Sequence, residues 1–473
     1  MTQLRILAPV LVDYHAVPGA ALRDPTWYAD FWAGQQEAVD DLLTRLAPGG
    51  DAAGPPPVVE LTHVRAASSL NRYRTISDHA VERPVHVLVG TLRPEHLPAA
   101  LDGTADDLPA IVEISFRLYD HGLLLLELLA DVSGWLARGS GDVPDSLDRL
   151  QACAVATGER VARETVRRYV HPVLALLRRA DRHERVILAA MSEDEPLAAE
   201  LGEPLWVTRS LVVDPGEPTT KQVVRHWLKD VVLPGDDRVA ADRLLDGEFD
   251  HLVRWLNYLF LDHRGAGGRM LPGDPFHDQW EALRYAQVFY GTLDRIDNRL
   301  SQILADSAAA GSRWELERLK DELTSLSQRA ELAIMERRDL SKYLKRAVRV
   351  EMDAILDFWD YVHLLEEPVR FKVEMCSRRL TELAARRAAR SVMFTDLILL
   401  GIAMTSILGT ALALTEFGRS IASDPEMAAY DLGRSGIVDW VAAQPADAVL
   451  ISSGVVSVLL VIVYLFFRRD RNS

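Results

Sequence analysis

Cysteine is nearly absent from this chain. Among its 473 residues only Cys153 and Cys376 are cysteines, and they lie far apart in the sequence. A disulfide framework and a zinc site built on cysteine are therefore excluded. Because small cysteines in helical sequence are common core residues, neither thiol is predicted to be catalytic.

An excess of positive charge is also missing. The formal net charge is -16, and charged residues make up 26% of the chain. Phosphate attraction requires a basic surface, so nucleic-acid binding is disfavoured. The length is sufficient for two or more domains.

Motifs that carry catalysis are missing as well. There is no Gly-rich loop ending in Gly-Lys-Ser/Thr, no His-Glu-x-x-His and no Gly-x-Ser-x-Gly. His251 and His263 flank an amphipathic stretch, and His277 begins a helix, so core and capping roles are favoured over metal binding. The sequence predicts a protein that is not an enzyme and holds no cofactor or metal. A hydrolase whose site the fold assembles from scattered residues is the alternative left open.

Aromatic residues cluster near the middle of the chain. Core packing is a better explanation than ligand binding for this set, which comprises Trp280, Tyr285, Phe289 and Tyr290.

Two long apolar runs lie near the carboxyl end, Val392–Leu414 and Ala448–Phe467. Each is long enough to cross a bilayer as a helix, which takes about 20 residues. They predict a two-helix transmembrane hairpin at 391–467 with an extracytoplasmic loop at 415–447. Arginines before the first run and in the basic tail 468–473 favour cytoplasmic termini. The opening MTQLRILAPV has no signal-peptide pattern, so the residues before the first run are expected to stay in the cytosol. Together with the two runs, this predicts a multi-pass protein of the inner (cell) membrane.

The first apolar run contains candidate packing and gating positions. Gly401, Thr405 and Gly409 form a row of small residues at four-residue spacing, which permits close helix approach. Asp396 lies about a turn inside the predicted cytoplasmic end. Its carboxylate either lines a pore or reaches the headgroups, and the sequence favours neither.

Residues 1–263 predict a cytosolic α+β domain, which could comprise two units of fold split near 135–215. Short aliphatic runs predict strands at Leu4–Val12, Val58–Val64, Val85–Thr91, Ile111–Tyr119, Leu123–Ala130 and Pro204–Val213. Pro9 predicts that the first strand lies at an edge or a bulge. Helices are predicted at Asp24–Leu46, Ser146–Arg179, Thr219–Val232 and Asp237–Leu261.

A Gly/Pro-rich linker at 264–275 precedes a helical stalk predicted at 276–390. A coiled-coil-like heptad seam follows Leu316, Leu319, Leu323, Leu326, Ala330, Ala333, Leu340, Leu344 and Ala347, and Arg337 interrupts it. A polar seam residue of this kind sets helix register. Pairing with the preceding helix of the same chain is favoured over an oligomeric coiled coil. A third helix should kink or restart at Pro368.

The layout resembles that of CorA-type cation transporters, with an α/β domain, stalk helices and a two-span hairpin. The Gly-Met-Asn signature of that family is missing after the first run, which ends TALALTEFG. Selective magnesium transport is therefore not implied.

The chain also resembles the CATRA proteins (caspase and TPR repeat-associated) of bacterial conflict systems. The resemblance rests on LRILAPVLVDYHA, on DPFHDQWEALRYAQVFYGTLDRIDNRL and on the terminal two-span region. It implies partnership with caspase-like proteases and TPR proteins in antiviral defence, without an active site in this chain.

Two functional hypotheses follow. The first is a membrane-anchored, non-enzymatic sensor or scaffold that recruits a caspase-like protease and a TPR protein. The second is a CorA-like cation channel or membrane-perturbing effector. Under either hypothesis we expect a homo-oligomer, contact with the lipid bilayer and no nucleic-acid partner.

Overall fold

A computed structural model describes residues 2–17, 25–47, 55–62, 86–97, 110–138, 143–183, 185–188, 201–228, 236–263, 274–309 and 312–423. It also describes 440, 443–445, 447–448, 451–456, 458–459 and 462. The chain forms two compact units, Met1–Ser377 and Arg378–Ser473. The first has an α/β amino-terminal region followed by helices, and the second is helical where it is described.

The described strands of the first unit are β1 (Gln3–Leu11), β2 (His15–Ala16), β3 (Val58–Leu61), β4 (His86–Leu92), β5 (Ala110–Tyr119), β6 (Leu123–Asp131), β7 (Ile187–Leu188), β8 (Thr208–Val213), β9 (His251–Val253) and β10 (Asn257–Leu261). Eight of them form one sheet in the order β3-β4-β5-β6-β1-β8-β10-β9, and β2 pairs with β7. All neighbours in the sheet are antiparallel except β8 and β10.

The described helices are α1 (Pro25–Leu46), α2 (Ser133–Arg138), α3 (Val143–Thr165), α4 (His171–Ala180), α5 (Thr220–Trp227), α6 (Asp236–Leu245), α7 (His277–Ala309), α8 (Arg313–Tyr343), α9 (Arg346–Phe358) and α10 (Glu367–Ser423). A π-helical turn at Val166–Val170 joins α3 to α4, and another at Val362–Glu366 precedes α10. The strand and helix runs up to Val213 lie close to their predicted positions.

The strand β1 occupies the centre of the sheet, between β6 and β8. The prediction from Pro9 that β1 lies at an edge is wrong, but the pairing is irregular beside Pro9, because the register changes by one residue between Leu7↔Thr208 and Val10↔Pro204. Pairing with β8 ends at Leu7, so the missing N–H of Pro9 interrupts no bond on that side. The Pro9 carbonyl accepts a hydrogen bond from the backbone N–H of Leu205 at 2.8 Å.

Each face of the sheet is covered by helices. Alternate residues of β1, such as Leu4 and Ile6, join the main hydrophobic core with α1, α3, α4, α5 and α6. The opposite face packs against α7, which contacts β1 and β6. Gly291 of α7 permits this approach, because a Cβ there would lie 3.3 Å from Leu123 Cδ1.

The predicted helix at 237–261 is partly wrong. The helix α6 ends at Leu245, and the remaining segment forms the hairpin of β9 and β10. Tyr258, Leu259 and Phe260 are fully buried, and β10 pairs in parallel with β8. Burial on both faces removes the alternation that marks a strand, so the apolar segment also fits a helical pattern.

The helices α7 and α8 pack together in the same chain, as favoured from the sequence. The predicted seam is buried from Leu316 to Ala333, whereas Ala347 is exposed because α8 ends at Tyr343. The break before α10 falls at Asp360, ahead of Pro368. Pro368 lies in the first turn of α10, where proline is tolerated.

The predicted transmembrane hairpin is wrong, and the inner-membrane location with cytoplasmic termini is wrong with it. Within the described residues, no helix combines the length and the apolarity needed to cross a membrane. Polar residues Thr395, Asp396 and Thr405 interrupt the first run. The helix α10 also continues to Ser423, so the loop predicted from 415 begins as helix.

Most of the predicted hairpin's second half lies outside the described residues. The structure describes 451–456 and 458–459 as helical, and it does not describe 424–439 or the basic tail 468–473. The predicted linker at 264–275 is described only from Asp274 onward.

Candidate functional site

The small-residue row in α10 has no close packing partner in the described structure. A Cβ placed on Gly401 or Gly409 would meet nothing within 4 Å. The Thr405 hydroxyl bonds back to the Gly401 carbonyl at 3.1 Å and to the Ile402 carbonyl at 2.9 Å. Asp396 is half-buried. These four residues lie on one helix, and their role in packing or gating stays a prediction.

Arg337, the predicted register residue, makes a specific contact. Its guanidinium carbon lies 5.1 Å from the centre of the Tyr361 ring, a cation–π distance. Tyr361 is buried, immediately before the π-helical turn. Arg337 therefore holds α8 against the segment between α9 and α10 of the same chain.

The cysteine and the candidate metal ligands offer no built site. Burial raises the pKa of the Cys376 thiol to about 11, so this thiol stays protonated at neutral pH. His277, Asp278 and Glu281 lie close enough to share an ion. However, His277 is exposed, and Lys345 Nζ lies 3.4 Å from Asp278 Oδ1. Asp278 thus contacts Lys345, and His277 Nε2 lies 4.0 Å from Glu281 Oε2.

A buried carboxylate lies between the sheet and α7. Glu127 of β6 accepts bonds from Arg5 at 2.6 Å, from Arg117 at 3.0 Å and from Arg284 at 2.8 and 3.0 Å. Burial alone would raise the pKa of Glu127, but Arg284 and Arg5 outweigh it and lower the pKa to about 2. The carboxylate is therefore ionised at neutral pH, and both of its oxygens accept hydrogen bonds from arginines. This arrangement suits a structural role.

A second charged cluster joins the β5–β6 turn to the helices. His121 Nε2 lies 2.7 Å from Glu336 Oε2 of α8, and Arg295 of α7 donates to the His121 carbonyl at 3.1 Å. Arg295 also lies 3.2 Å from Nε2 of buried His15. Burial, with Arg295 next, lowers the pKa of His15 well below its usual value. Neutral His15 therefore accepts the hydrogen bond from Arg295.

The outer edge of the sheet at β3 is closed to a further strand. The side-chain amide of Gln36 donates to the Val59 carbonyl and accepts from the Leu61 N–H, both at 2.8 Å. It thereby takes bonds that a neighbouring strand would make.

An aromatic corner forms where the β9–β10 turn meets α7 and α9, and we define it by Trp255, Tyr290, Phe358, Trp359 and Tyr361. The Trp255 ring centre lies 5.1 Å from that of Tyr290 and 5.9 Å from that of Trp359. Tyr290 and Trp359 are 5.6 Å apart. These edge-to-face contacts hold Trp255 in a fixed orientation.

Two side chains of the aromatic corner remain open to solvent. Trp255 is 42% exposed and Phe358 is 41% exposed, whereas Trp359 and Tyr361 are buried. The Arg254 guanidinium lies 5.5 Å from the Phe358 ring centre. The aromatic corner therefore combines buried aromatic side chains, Trp359 and Tyr361, with partly exposed ones, Trp255 and Phe358.

The backbone of the aromatic corner is strained. Asp360 has φ 51°, and it is the one described residue other than glycine with a positive φ. Its carbonyl accepts from the Leu364 N–H at 2.8 Å, at the start of the π-helical turn. Such outliers and π-turns concentrate at functional sites.

Sequence reasoning missed the aromatic corner because its members come from distant segments. It assigned Trp280 and Tyr290 to the core, and both are buried, but they contact different aromatic partners. The ring centres of Trp280 and Phe260 are 4.2 Å apart with the rings tilted, and Tyr290 belongs to the aromatic corner. The one available local signal was the Arg254-Trp255 pair, whose large side chains fall between β9 and β10.

No protein-family model, no curated protein and no solved structure matches this chain.

Proposed function

We propose that this chain is a non-enzymatic sensor or scaffold of a bacterial conflict system, recruiting a caspase-like protease and a TPR protein. The family resemblance of its opening strand and of the α7 segment is one support. The observation that carries the proposal is the aromatic corner, where Trp255 and Phe358 stand half-exposed on a rigid base.

The composition of the aromatic corner suits protein recognition. Binding energy at protein interfaces concentrates in a few Trp, Tyr and Arg side chains that rest on well-packed surroundings. Trp255 is fixed by Tyr290 and Trp359, so it loses little conformational entropy when a partner covers it. The corner also lies where the sheet region meets the helices, and a bound partner would contact both.

The charged clusters are assigned to packing within the chain, which leaves the aromatic corner as the candidate binding surface. The oxygens of Glu127 are taken by three arginines, and His121 is paired with Glu336. These groups join elements of the chain to one another, and we assign them to packing. The alternative hypothesis of a cation channel or membrane effector required two membrane spans. Since no described helix meets the requirements of a span, we do not propose it.

Capture from native cells tests this proposal. The tagged full-length chain should recover a caspase-like protease or a TPR protein, identified by mass spectrometry. Trp255→Ala should reduce that recovery at least about tenfold, because removal of one central interface Trp often costs 2 kcal/mol or more.

The matched control is Trp314→Ala, since Trp314 is 68% exposed on α8 and outside the aromatic corner. This variant should retain the partners. Recovery of neither class of protein by the wild-type chain would refute the proposal. Equal recovery by Trp255→Ala would remove the corner as the docking site.

A further inference from the structure

The first turns of α10 and the π-helical turn before it present an apolar stripe to solvent. We define the α10 stripe as Leu364, Phe371 and Met375. All three side chains are exposed, and Phe371 is 65% exposed. A row of large apolar side chains along one line of a helix is unusual for a free surface.

Another face of the same segment is fixed by packing. Val369 and Cys376 are buried, and the Cys376 thiol lies 3.6 Å from the Leu300 carbonyl of α7. Lys372 Nζ donates to Asp297 at 2.7 Å and to Ser301 at 2.8 Å, also on α7. The contacts with α7 hold the helix in place, so the α10 stripe cannot turn inward.

We propose that the α10 stripe is an interface with a second copy of this chain, with the two helices parallel. Phe371 and Met375 are four residues apart, which is the spacing of adjacent core positions in a two-helix seam, and Leu364 precedes them from within the π-helical turn. Each stripe residue would then pack against the same residue of the second copy.

Charge complementarity selects a second copy in parallel orientation. In a parallel pair, a residue flanking the seam faces the residue five positions later in the other helix. Glu367 therefore faces Lys372 of the second copy. In the antiparallel arrangement, the flank carrying Glu367 and Glu374 would face the same acidic flank, which is repulsive.

Lys372 can serve both contacts. Its ammonium group has three N–H donors, and two of them are directed at Asp297 and Ser301. The third can reach Glu367 of the second copy. The intrachain contact thus positions Lys372 for the intermolecular pair.

Light scattering on the full-length chain tests the interface. We expect a mass of two chains or more at micromolar concentration, and Phe371→Asp should weaken association at least about thirtyfold, as loss of a central apolar anchor does. Trp314→Asp is the control, because Trp314 is equally exposed outside the stripe and should not change the mass. A monomeric wild-type chain, or an unchanged mass in Phe371→Asp, would overturn the proposal.

Cross-linking tests the orientation and does not require a destabilising variant. Leu364→Cys in a Cys153→Ser background should form an intermolecular disulfide on mild oxidation, because only parallel helices place residue 364 beside itself. Trp314→Cys should not. Failure of Leu364→Cys to cross-link would exclude the parallel pair even if Phe371→Asp were to misfold.

This inference does not rest on the proposed function. Phe371→Asp should lose self-association while it still captures protein partners, and Trp255→Ala should show the reverse.

Discussion

The aromatic corner and the Glu127 cluster both lie at the junction of the sheet with the helices, yet they differ in how completely they are satisfied. Each oxygen of Glu127 is bonded to guanidinium groups, and the carboxylate is buried. In the aromatic corner, Trp255 and Phe358 remain half-exposed and the backbone at Asp360 is strained. The first cluster joins elements of the fold to one another, and the second leaves aromatic surface exposed. This difference predicts opposite responses to substitution.

The largest effect on stability is expected at Glu127. Glu127→Gln leaves three guanidinium groups around a neutral amide, and removing one partner of a buried ionic network costs about 3–5 kcal/mol. The free energy of unfolding, measured by urea denaturation, should fall by that amount. Glu113→Gln, an exposed carboxylate on β5, should change it by less than about 0.5 kcal/mol. A loss at Glu127 no larger than that at Glu113 would mean that the network is not structural.

The pH dependence of stability sharpens the same point. The pKa of Glu127 is lowered to about 2 in the folded chain from an ordinary value of 4.5. Its contribution is therefore complete above pH 4.5 and is lost as the pH falls toward 2. Wild type and Glu127→Gln should converge in stability over that range.

An intermediate effect is expected at Asp360, within the aromatic corner. Glycine accepts φ 51° freely, so Asp360→Gly should leave stability within about 1 kcal/mol of wild type. A β-branched residue is strained there, so Asp360→Val should lose about 1–3 kcal/mol. Thermal unfolding of the two variants measures the difference. Equal stability of the two variants would show that the positive φ is not maintained in solution.

The sequence predicts those parts of the fold whose signals come from residues close together in the chain. Short aliphatic runs located β5 and β6, which are joined by a turn in which Gly122 has φ 73°. The heptad at Leu316–Ala333 predicted the packing of α8. These signals are local, and each depends on residues that are neighbours in the chain.

The errors occur where tertiary context decides. The segment His251–Leu261 is a hairpin because β8 offers it a parallel partner, which no local pattern records. The apolar run from Val392 was interpreted from hydropathy alone, and no described helix meets the requirements of a membrane span.

The charged and aromatic clusters could not be predicted for the same reason. Arg5 and Arg284 lie 122 and 157 positions from Glu127 in sequence. Trp255 meets Trp359 through elements whose arrangement is known only from the fold. Arg337 was singled out as a polar break in the seam from a signal within one helix, and its role in helix register stays a prediction.

The smallest effect is expected at His121 and Glu336, which connect the sheet region to α8. Burial alone would lower the pKa of His121, but the Glu336 carboxylate and its hydrogen bond raise it above the ordinary 6.5. A raised pKa means that the ion pair stabilises the fold fully below pH 6.5, and that this contribution is lost as the pH rises through the folded value. Since Glu336 is about a third exposed, solvent screening limits the contribution to about 0.5–1 kcal/mol.

The Glu336→Gln variant isolates this contribution, because buried His15 titrates in the opposite sense and is common to both proteins. Urea denaturation should show the variant less stable than wild type at pH 5.5 and nearly equal to it at pH 9. Glu331→Gln, at an exposed position on the same helix, should follow wild type at both pH values. A difference that stays the same between pH 5.5 and pH 9 would mean that His121 is neutral in the folded chain throughout that range. In that case the contact between His121 and Glu336 would be a hydrogen bond donated by a neutral imidazole, unlike the contacts between charged groups at Glu127.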